Sequence, residues 1–306
     1  MATTPQNKRS YGSPQLVQKS KLDRETNFIR NRDFINDLSP EELCSLVGEV
    51  TLEKLGNVNM SRLGKEEKED LKAKKSKGMQ KKTDTFKVEI NPSLGIDQSF
   101  KIAAKIMEDN KKSRNEIGWY IHFLDKNHKN FPRTYAAIQC DVCSKSEVVK
   151  ENCIVLLSEL ADGDLQSLVK KMNDGQIESM ITQVLNALLV LEEEVIERED
   201  GVFVEGVIHG DLNLGNILGY EENGEWNWRL WDFEMMRRTD QVSLLDDELK
   251  TEVDNTFVFD WKTTFLPKLK QYFPRSRFVE NVSQITNSSN SIGEVITKIS
   301  KLYKID

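Results

Sequence analysis

Apolar and polar residues alternate in the first half of the chain, so that successive side chains would point to opposite faces of a sheet. Thr85–Ile90 and Phe100–Met107 have this period of two, and the turn residues at 91–95 between them predict a hairpin. Lys105 is a polar residue inside the second of these strands. The other predicted strands are Leu46–Leu55, Thr134–Val142 and Asn152–Leu160.

A helical period replaces this alternation in the second half of the chain. One helix is predicted earlier, at Ser113–Lys126, with Glu116 at the edge of its apolar stripe. That stripe consists of Ile117, Tyr120, Ile121 and Leu124. The later predicted helices are Leu165–Met172, Gln176–Glu194, Val242–Val253, Phe257–Phe273 and Ile292–Tyr303. Another helix should start at Ser39, because Pro40 follows it and Glu42 completes a capping box.

Strands with one helix, followed mainly by helices, predict an α+β fold. We divide the chain into a smaller sheet-containing part at 38–158 and a mainly helical part at 159–306. Residues 1–37 are polar and lack clear periodicity, which predicts a mostly flexible basic tail, with a short helix near Leu22–Phe34 as an option. A lysine-rich insertion near 62–82 carries interspersed acidic residues, so we expect a solvated segment there.

Composition narrows the class of protein further. The 306 residues carry a net charge of -7, which argues against general binding of nucleic acids. No run of about 18 apolar residues occurs, so we expect no membrane span. The first residues lack the apolar core of a signal peptide.

The chain has four cysteines, and Cys140 and Cys143 form a single C-x-x-C. Four cysteines are few for a disulfide framework in a chain of this length, so we expect a reducing compartment. Without a second pair, the C-x-x-C is weak support for a metal site, and ordinary strand and turn cysteines are the favoured interpretation.

The segment from Val207 to Met235 reads as strand, loop and strand, with polar residues placed for phosphate chemistry. Asp211 and Asn216 lie five positions apart on one loop, and Asp232 follows the next strand. Magnesium takes hard oxygen ligands from proteins and the remainder from phosphates and water. These residues therefore predict a cage for a magnesium nucleotide.

Lys105 has two interpretations. Lys101 and Lys105 are an even number of positions apart, so simple alternation would turn both towards solvent. Alternatively, Lys105 points into a cleft, where the carboxylate of Glu116 meets it.

The residues H-G-D-L-N-L-G-N at His209–Asn216, followed by D-F-E at 232–234, resemble the catalytic loop and the D-F-G motif of the protein-kinase-like superfamily. I-A-A-K ending at Lys105 resembles the strand lysine of that family, Glu116 its helical partner, and Leu157–Ala161 the adenine-binding hinge. These parts follow the family's order over roughly residues 40–275. The resemblance implies a bilobal kinase-like fold, with a small antiparallel sheet and one helix in the N-lobe and a trimmed, mainly helical C-lobe.

The resemblance also implies roles for individual residues. Asp211 would be the catalytic residue that accepts or orients the proton of the acceptor hydroxyl. Asn216 and Asp232 would hold Mg²⁺, and His209 would be a structural residue of the catalytic loop. The implied ATP-binding residues are Lys105, Glu116, Glu159 and Ala161.

Several positions depart from the family's pattern. No G-x-G-x-x-G occurs, and Glu234 replaces the glycine of D-F-G. Asn213 stands where serine/threonine kinases usually have lysine, a form that resembles aminoglycoside and choline kinases. No A-P-E follows, and Asp260 resembles the aspartate of the next kinase helix. The trimmed C-lobe resembles compact atypical kinases of large DNA viruses and bacterial effectors.

Taken together, these features predict an ATP- and magnesium-dependent kinase that acts on serine or threonine of a protein substrate. The expected compartment is the cytoplasm, or that of a host cell for a viral or effector protein. The departures keep a nucleotide-binding or scaffolding pseudokinase and a small-molecule kinase as alternatives. The sequence leaves the oligomeric state open.

Overall fold

The computed structural model describes residues 28–45, 58–62, 85–90, 100–125, 129–145, 148–198, 200–222, 224–239 and 261–303. Several predicted features lie outside these residues. They are the tail at 1–27, the strand Leu46–Leu55, the lysine-rich insertion from residue 63 onward, the helix Val242–Val253, and Asp260.

Within the described residues, five strands form an antiparallel sheet in the order β1-β2-β3-β5-β4. They are β1 (Val58–Arg62), β2 (Thr85–Ile90), β3 (Phe100–Glu108), β4 (Thr134–Lys145) and β5 (Val148–Glu159). The predicted hairpin of β2 and β3 is confirmed, with Thr85 opposite Lys105. Lys105 also lies opposite Leu156 of β5, which makes β3 an inner strand of the sheet.

Both faces of β3 are covered, and this fixes the direction of Lys105. Ile102 and Ile106 belong to one buried cluster with the inward residues of β2. Met107 belongs to the other cluster, which includes the helical part of the chain. Because side chains alternate along a strand, Lys105 is on the same face as Met107 and points towards the helical part.

The other face of the sheet is covered by the first helices. Residues 28–37 form helix α1, and Pro40–Ser45 form helix α2. Phe28 and Ile35 of α1 are buried in the core with the sheet. The short helix expected near Leu22–Phe34 is present in the described residues 28–37. The expectation of a flexible tail is wrong there, because the few apolar residues recur at helical spacing and pack on the sheet. The predicted capping box is confirmed, since Ser39 and Glu42 exchange side-chain-to-backbone hydrogen bonds of 2.9 and 3.2 Å.

The cysteine prediction needs correction as well. Cys44 of α2 and Cys140 of β4 form a disulfide, although 96 positions separate them in the sequence. The interpretation as ordinary strand and turn cysteines is therefore wrong for these two residues, and Cys140 is not a thiolate ligand of a metal here. Cys153 is disulfide-bonded as well. A reducing compartment can no longer be inferred from unpaired thiols.

Helix α3 (Lys111–Asp125) packs against the face of the sheet that carries Lys105. Trp119, Tyr120 and Phe123 are buried, whereas Ile121 and Leu124 are exposed. The predicted stripe is therefore confirmed for Tyr120 and wrong for Ile121 and Leu124, because the three aromatic side chains bury more area than the aliphatic ones. Glu116 consequently lies within the buried face and is 1% exposed.

The remaining elements form the helical part and small sheets. The helices are α4 (Leu165–Leu168), α5 (Asp174–Glu192), α6 (Leu266–Tyr272), α7 (Arg277–Asn287) and α8 (Ile292–Tyr303). The strands are β6 (Gly163–Asp164), β7 (Val195–Glu197), β8 (Phe203–Glu205), β9 (Val207–Ile208), β10 (Ile217–Glu222), β11 (Glu225–Leu230) and β12 (Arg237–Arg238). Short 3-10 turns lie at Val169–Lys171, Leu214–Asn216 and Phe233–Met235, and a π-helical turn at Trp261–Phe265.

The small sheets hold the loops that carry the polar motif. β9 pairs with β12, and β10 pairs with both β11 and β6. The loop from His209 to Asn216 therefore runs between two strands that are each fixed by a partner. The α+β class is confirmed, with a small antiparallel sheet followed by helices. None of the helices in the described residues is both long and apolar enough to span a bilayer.

Candidate active site

Lys105 lies between two carboxylates that come from distant parts of the sequence. Its Nζ is 2.6 Å from Oε1 of Glu116 on α3 and 2.9 Å from Oδ1 of Asp232 after β11. We call these three residues the Lys105 cluster. The predicted ion pair with Glu116 is confirmed, and the solvent-facing interpretation of Lys105 is wrong, because its side chain is only 15% exposed.

The ionisation of this cluster follows from burial and from its charges. Burial lowers the pKa of Lys105. The negative charges of Glu116 and Asp232 raise this pKa by more than burial lowers it, so that it lies above the ordinary value. Burial raises the pKa of Glu116 to about 7; Lys105 opposes this rise, whereas Asp232 and Glu234 add to it. Lys105 is thus protonated at neutral pH, and Glu116 takes up a proton more readily than an exposed glutamate does.

The catalytic-loop residues form a second group of contacts. The Nδ2 of Asn216 donates to the backbone oxygen of Asp211 at 2.8 Å and to its Oδ2 at 3.1 Å. Asn213 also donates to the backbone oxygen of Asp211, and its Oδ1 accepts from the N–H of Gly215. These bonds fix the Asp211 side chain at an exposed position beside the amide of Asn216.

His209 holds this loop to the strand that ends before Asp232. Its ring is 2% exposed, and Nε2 lies 3.0 Å from the backbone oxygen of Trp231. The N–H of Asp211 donates to Nδ1 at 3.3 Å. These partners assign the proton to Nε2 and leave Nδ1 as the acceptor. The ring therefore joins the backbone on both sides of the site.

Asp232 has a left-handed backbone, with φ of 67°. Its N–H donates to the hydroxyl of Tyr120 at 3.2 Å. The Tyr120 ring lies against Trp231 and Phe233, with centroids 5.0 and 4.5 Å apart. Burial keeps the pKa of Tyr120 well above its ordinary value, so the hydroxyl stays neutral. A buried neutral acceptor thus supports a strained backbone at the aspartate of D-F-E.

Glu159, a predicted ATP-binding residue, uses its carboxylate for a different purpose. It accepts two hydrogen bonds from Arg133, at 2.9 and 3.0 Å, and one from Arg229 at 2.8 Å. The N–H of Glu159 donates to the backbone oxygen of Arg133. We call Glu159, Arg133 and Arg229 the Glu159 cluster. The Glu159 side chain is therefore held by two guanidinium groups.

The donor set at the site is suited to magnesium. Asn216 uses its amide nitrogen for Asp211, which leaves its amide oxygen as the atom for a cation, and Asp232 offers a carboxylate. Mg²⁺ commonly takes one or two such protein ligands and completes its shell with phosphates and water. In the described part of the chain, no group of three or more His, Cys, Asp or Glu is arranged to hold a metal.

The structure thus brings most predicted residues into two groups of contacts. Lys105, Glu116 and Asp232 form one group, and His209, Asp211 and Asn216 form the other, joined through Trp231 next to Asp232. Ala161 lies two residues beyond the end of β5.

Sequence reasoning missed Tyr120, Arg133 and Arg229 as residues of the site and its surroundings. Tyr120 was placed on the apolar stripe, where its hydroxyl was the signal for a buried polar partner. Arg229 had a signal too, as an arginine in an otherwise apolar strand end, Trp228–Trp231.

Comparisons with known proteins add little. No protein-family model matches the sequence, and no curated protein sequence matches it. A structure of the yeast RNA polymerase II CTD kinase CTDK-1 complex is similar to this chain, with a TM-score of 0.34 and 19% sequence identity. The match covers 50% of this chain and 43% of that chain, so this chain spans less than half of that protein's length. This similarity is too low to bear on the fold or the function of the chain.

Proposed function

We propose that the chain is an ATP- and magnesium-dependent phosphotransferase with a bilobal kinase-like fold. The observation that carries this proposal is the Lys105 cluster, in which residues 105, 116 and 232 meet within 2.9 Å. A lysine paired with a helical carboxylate, with the aspartate of D-F-E and an Asp–Asn loop nearby, is the arrangement with which protein kinases transfer phosphoryl groups.

The residues divide the work of positioning and charge neutralisation. Asp211 orients the acceptor hydroxyl and takes up its proton. Lys105 contacts the phosphates of the nucleotide, and Glu116 keeps its ammonium group in place. Asn216 and Asp232 hold the cation. When bound, Mg²⁺ neutralises the charge that develops on the transferred phosphoryl group.

We propose a serine or threonine hydroxyl of a protein as the acceptor. Beyond the site, the described residues form the π-helical turn Trp261–Phe265 and the helices α6, α7 and α8. None of these described elements is a large helical insert of the kind with which small-molecule kinases enclose their substrates. Asp211 is exposed, which suits an acceptor hydroxyl on an extended segment of a protein.

The test is transfer of radiolabelled phosphate from ATP to a generic protein substrate, with Mg²⁺ present. Asp211→Asn should reduce transfer by about 10²-fold or more, because a general base contributes about 10²–10⁴-fold. Asp200→Asn is the matched control, since Asp200 is exposed in the β7–β8 loop, and it should leave transfer unchanged.

The outcomes separate the alternatives. If wild type and Asp211→Asn are equally silent while ATP with Mg²⁺ raises the melting temperature, the chain is a pseudokinase. Transfer to aminoglycosides or choline, but not to proteins, would assign the acceptor to small molecules. If ATP has no effect on transfer or melting, the proposal is wrong.

A further inference from the structure

The segment Asp232–Met236 lies between helix α3 and the catalytic loop, and we call it the wedge segment. On its α3 side it makes three polar contacts. The Nζ of Lys112 is 3.4 Å from Oε1 of Glu234, and Nδ2 of Asn115 donates to the backbone oxygen of Met236 at 3.0 Å. The third is the hydrogen bond from the N–H of Asp232 to Tyr120.

On its other side, the wedge segment is pressed against the catalytic loop at Gly210. This glycine has φ of +78°, and a Cβ built on it would lie 2.7 Å from the backbone oxygen of Met235. Only glycine meets both conditions without a shift of the backbone. The wedge segment therefore contacts the residue before Asp211 directly.

These contacts link the two groups of site residues. Helix α3 carries Glu116, which sets the position of Lys105, and the catalytic loop carries Asp211. A displacement of α3 from the wedge segment would separate Lys105 from Asp232. The linkage thus depends on what holds α3 to the wedge segment.

Glu234 is the position at which this chain departs from D-F-G, and its side chain reaches Lys112 of α3. The neighbouring Phe233 ring packs on Tyr120 of the same helix, with the centroids 4.5 Å apart. A glycine there has no side chain with which to contact Lys112. We infer that Lys112 and Glu234 are positioning residues, whose ion pair holds α3 against the wedge segment and keeps Lys105 and Glu116 in register with Asp232 and Asp211. The positioning role rests on the proposed function. The carboxylate at 234 is then part of the site's support and not a sign of lost activity.

The expected size of the effect follows from exposure. The Lys112 side chain is 66% exposed and that of Glu234 is 22% exposed. Exposed ion pairs of this kind contribute little free energy, so we expect the amide exchange rates and kcat to change by about two- to fivefold. Reversal of one charge puts like charges together, and reversal of both restores the attraction.

The experiment is a charge-swap cycle of Lys112→Glu, Glu234→Lys and the double variant. Lys111→Glu is the matched control, because it makes the same charge change on an exposed neighbour in α3. The first measurement is hydrogen exchange of the amides at 113–120, which needs no activity. Each single variant should exchange about two- to fivefold faster than wild type. The double variant should return to the wild-type rate, and Lys111→Glu should equal wild type.

The second measurement is transfer kinetics. Each single variant should lower kcat by about two- to fivefold, with a smaller change in the KM for ATP, and the double variant should recover kcat. The ion pair is not the link if the single variants exchange their amides at the same rate as Lys111→Glu. It is also not the link if the double variant exchanges as fast as the single variants. Restored exchange without any change in kcat would overturn the positioning role.

Failure of the proposed function gives a different pattern. Wild type would then neither transfer phosphate nor respond to ATP. The exchange measurement would still show whether the ion pair between Lys112 and Glu234 holds α3 in place.

Discussion

The Lys105 cluster and the Glu159 cluster are both largely buried, yet their charge balances are opposite. The Lys105 cluster has one ammonium group between two carboxylates, whereas the Glu159 cluster has one carboxylate between two guanidinium groups. A site with surplus negative charge attracts a cation, as the proposed magnesium site requires.

The carboxylate of Glu159 is fully paired without a ligand. It accepts three hydrogen bonds, and the guanidinium groups of Arg133 and Arg229 lie over the rings of Phe28 and Tyr220 at 4.4 and 4.3 Å. Glu222 supplies further negative charge near Arg133. The comparison teaches that burial of charge alone does not mark a functional site. The proposed site differs from the Glu159 cluster in the sign of its charge, with two carboxylates to one ammonium group.

The largest expected effect comes from breaking the Glu159 cluster. Glu159→Ala leaves the guanidinium group of Arg229, whose side chain is 9% exposed, without its carboxylate. Loss of one partner of a buried ion pair typically costs about 3–5 kcal/mol in unfolding free energy. Urea unfolding measures this loss, with Glu178→Ala on the exposed face of α5 as the control. A loss no larger than that of the control would contradict a structural role for the cluster.

Breaking the Lys105 cluster should affect phosphate transfer more than the unfolding free energy. Lys105→Met removes the contact to the phosphates, so phosphate transfer should fall by about 10²–10³-fold. The unfolding free energy should fall less than in Glu159→Ala, because the pKa of Glu116 is already about 7 and its carboxyl can take up a proton. Transfer kinetics and urea unfolding of the same preparation measure both quantities. If Lys105→Met lowers the unfolding free energy strongly but leaves the transfer rate per folded molecule unchanged, the Lys105 cluster has a structural role and not a catalytic one.

The pH dependence of stability sharpens the comparison. The pKa of Glu116 is raised in the folded state from 4.5 to about 7. Between these values the folded protein binds more protons than the unfolded chain, so this group lowers the unfolding free energy as pH rises through that window. The cost is on the order of 3 kcal/mol above pH 7.

A glutamine side chain cannot ionise, so Glu116→Gln should remove this decrease in the unfolding free energy. We therefore expect the unfolding free energy, measured with urea, to decrease less from pH 5 to pH 8 in the variant than in wild type, or to increase more. Glu178→Gln, on the exposed face of α5, should follow wild type. Parallel curves for Glu116→Gln and wild type would rule out the raised pKa.

Local patterns were sufficient for the elements that depend on neighbours in sequence. The capping box of Ser39 and Glu42, the hairpin of β2 and β3, and helix α8 were predicted within a few residues. Each of these depends on hydrogen bonds or periodicity over fewer than 20 residues.

Predictions failed where distant residues compete for burial. Alternation left the direction of Lys105 open, since it does not say which face of an inner strand meets a helix. The stripe of α3 was misplaced because Trp119 and Phe123 pack against elements far along the chain. The disulfide of Cys44 and Cys140 joins residues 96 positions apart, and no local spacing indicates it.

The sequence by itself determined the α+β class, the residues that carry the candidate chemistry and their order along the chain. Those features follow from residue type and short-range spacing. Only the tertiary structure decided that Lys105 meets Glu116 and Asp232, that Glu159 is held by two arginines, and that Glu234 reaches Lys112. The physical reason is that charges choose partners by distance in space, and packing of the whole chain sets that distance.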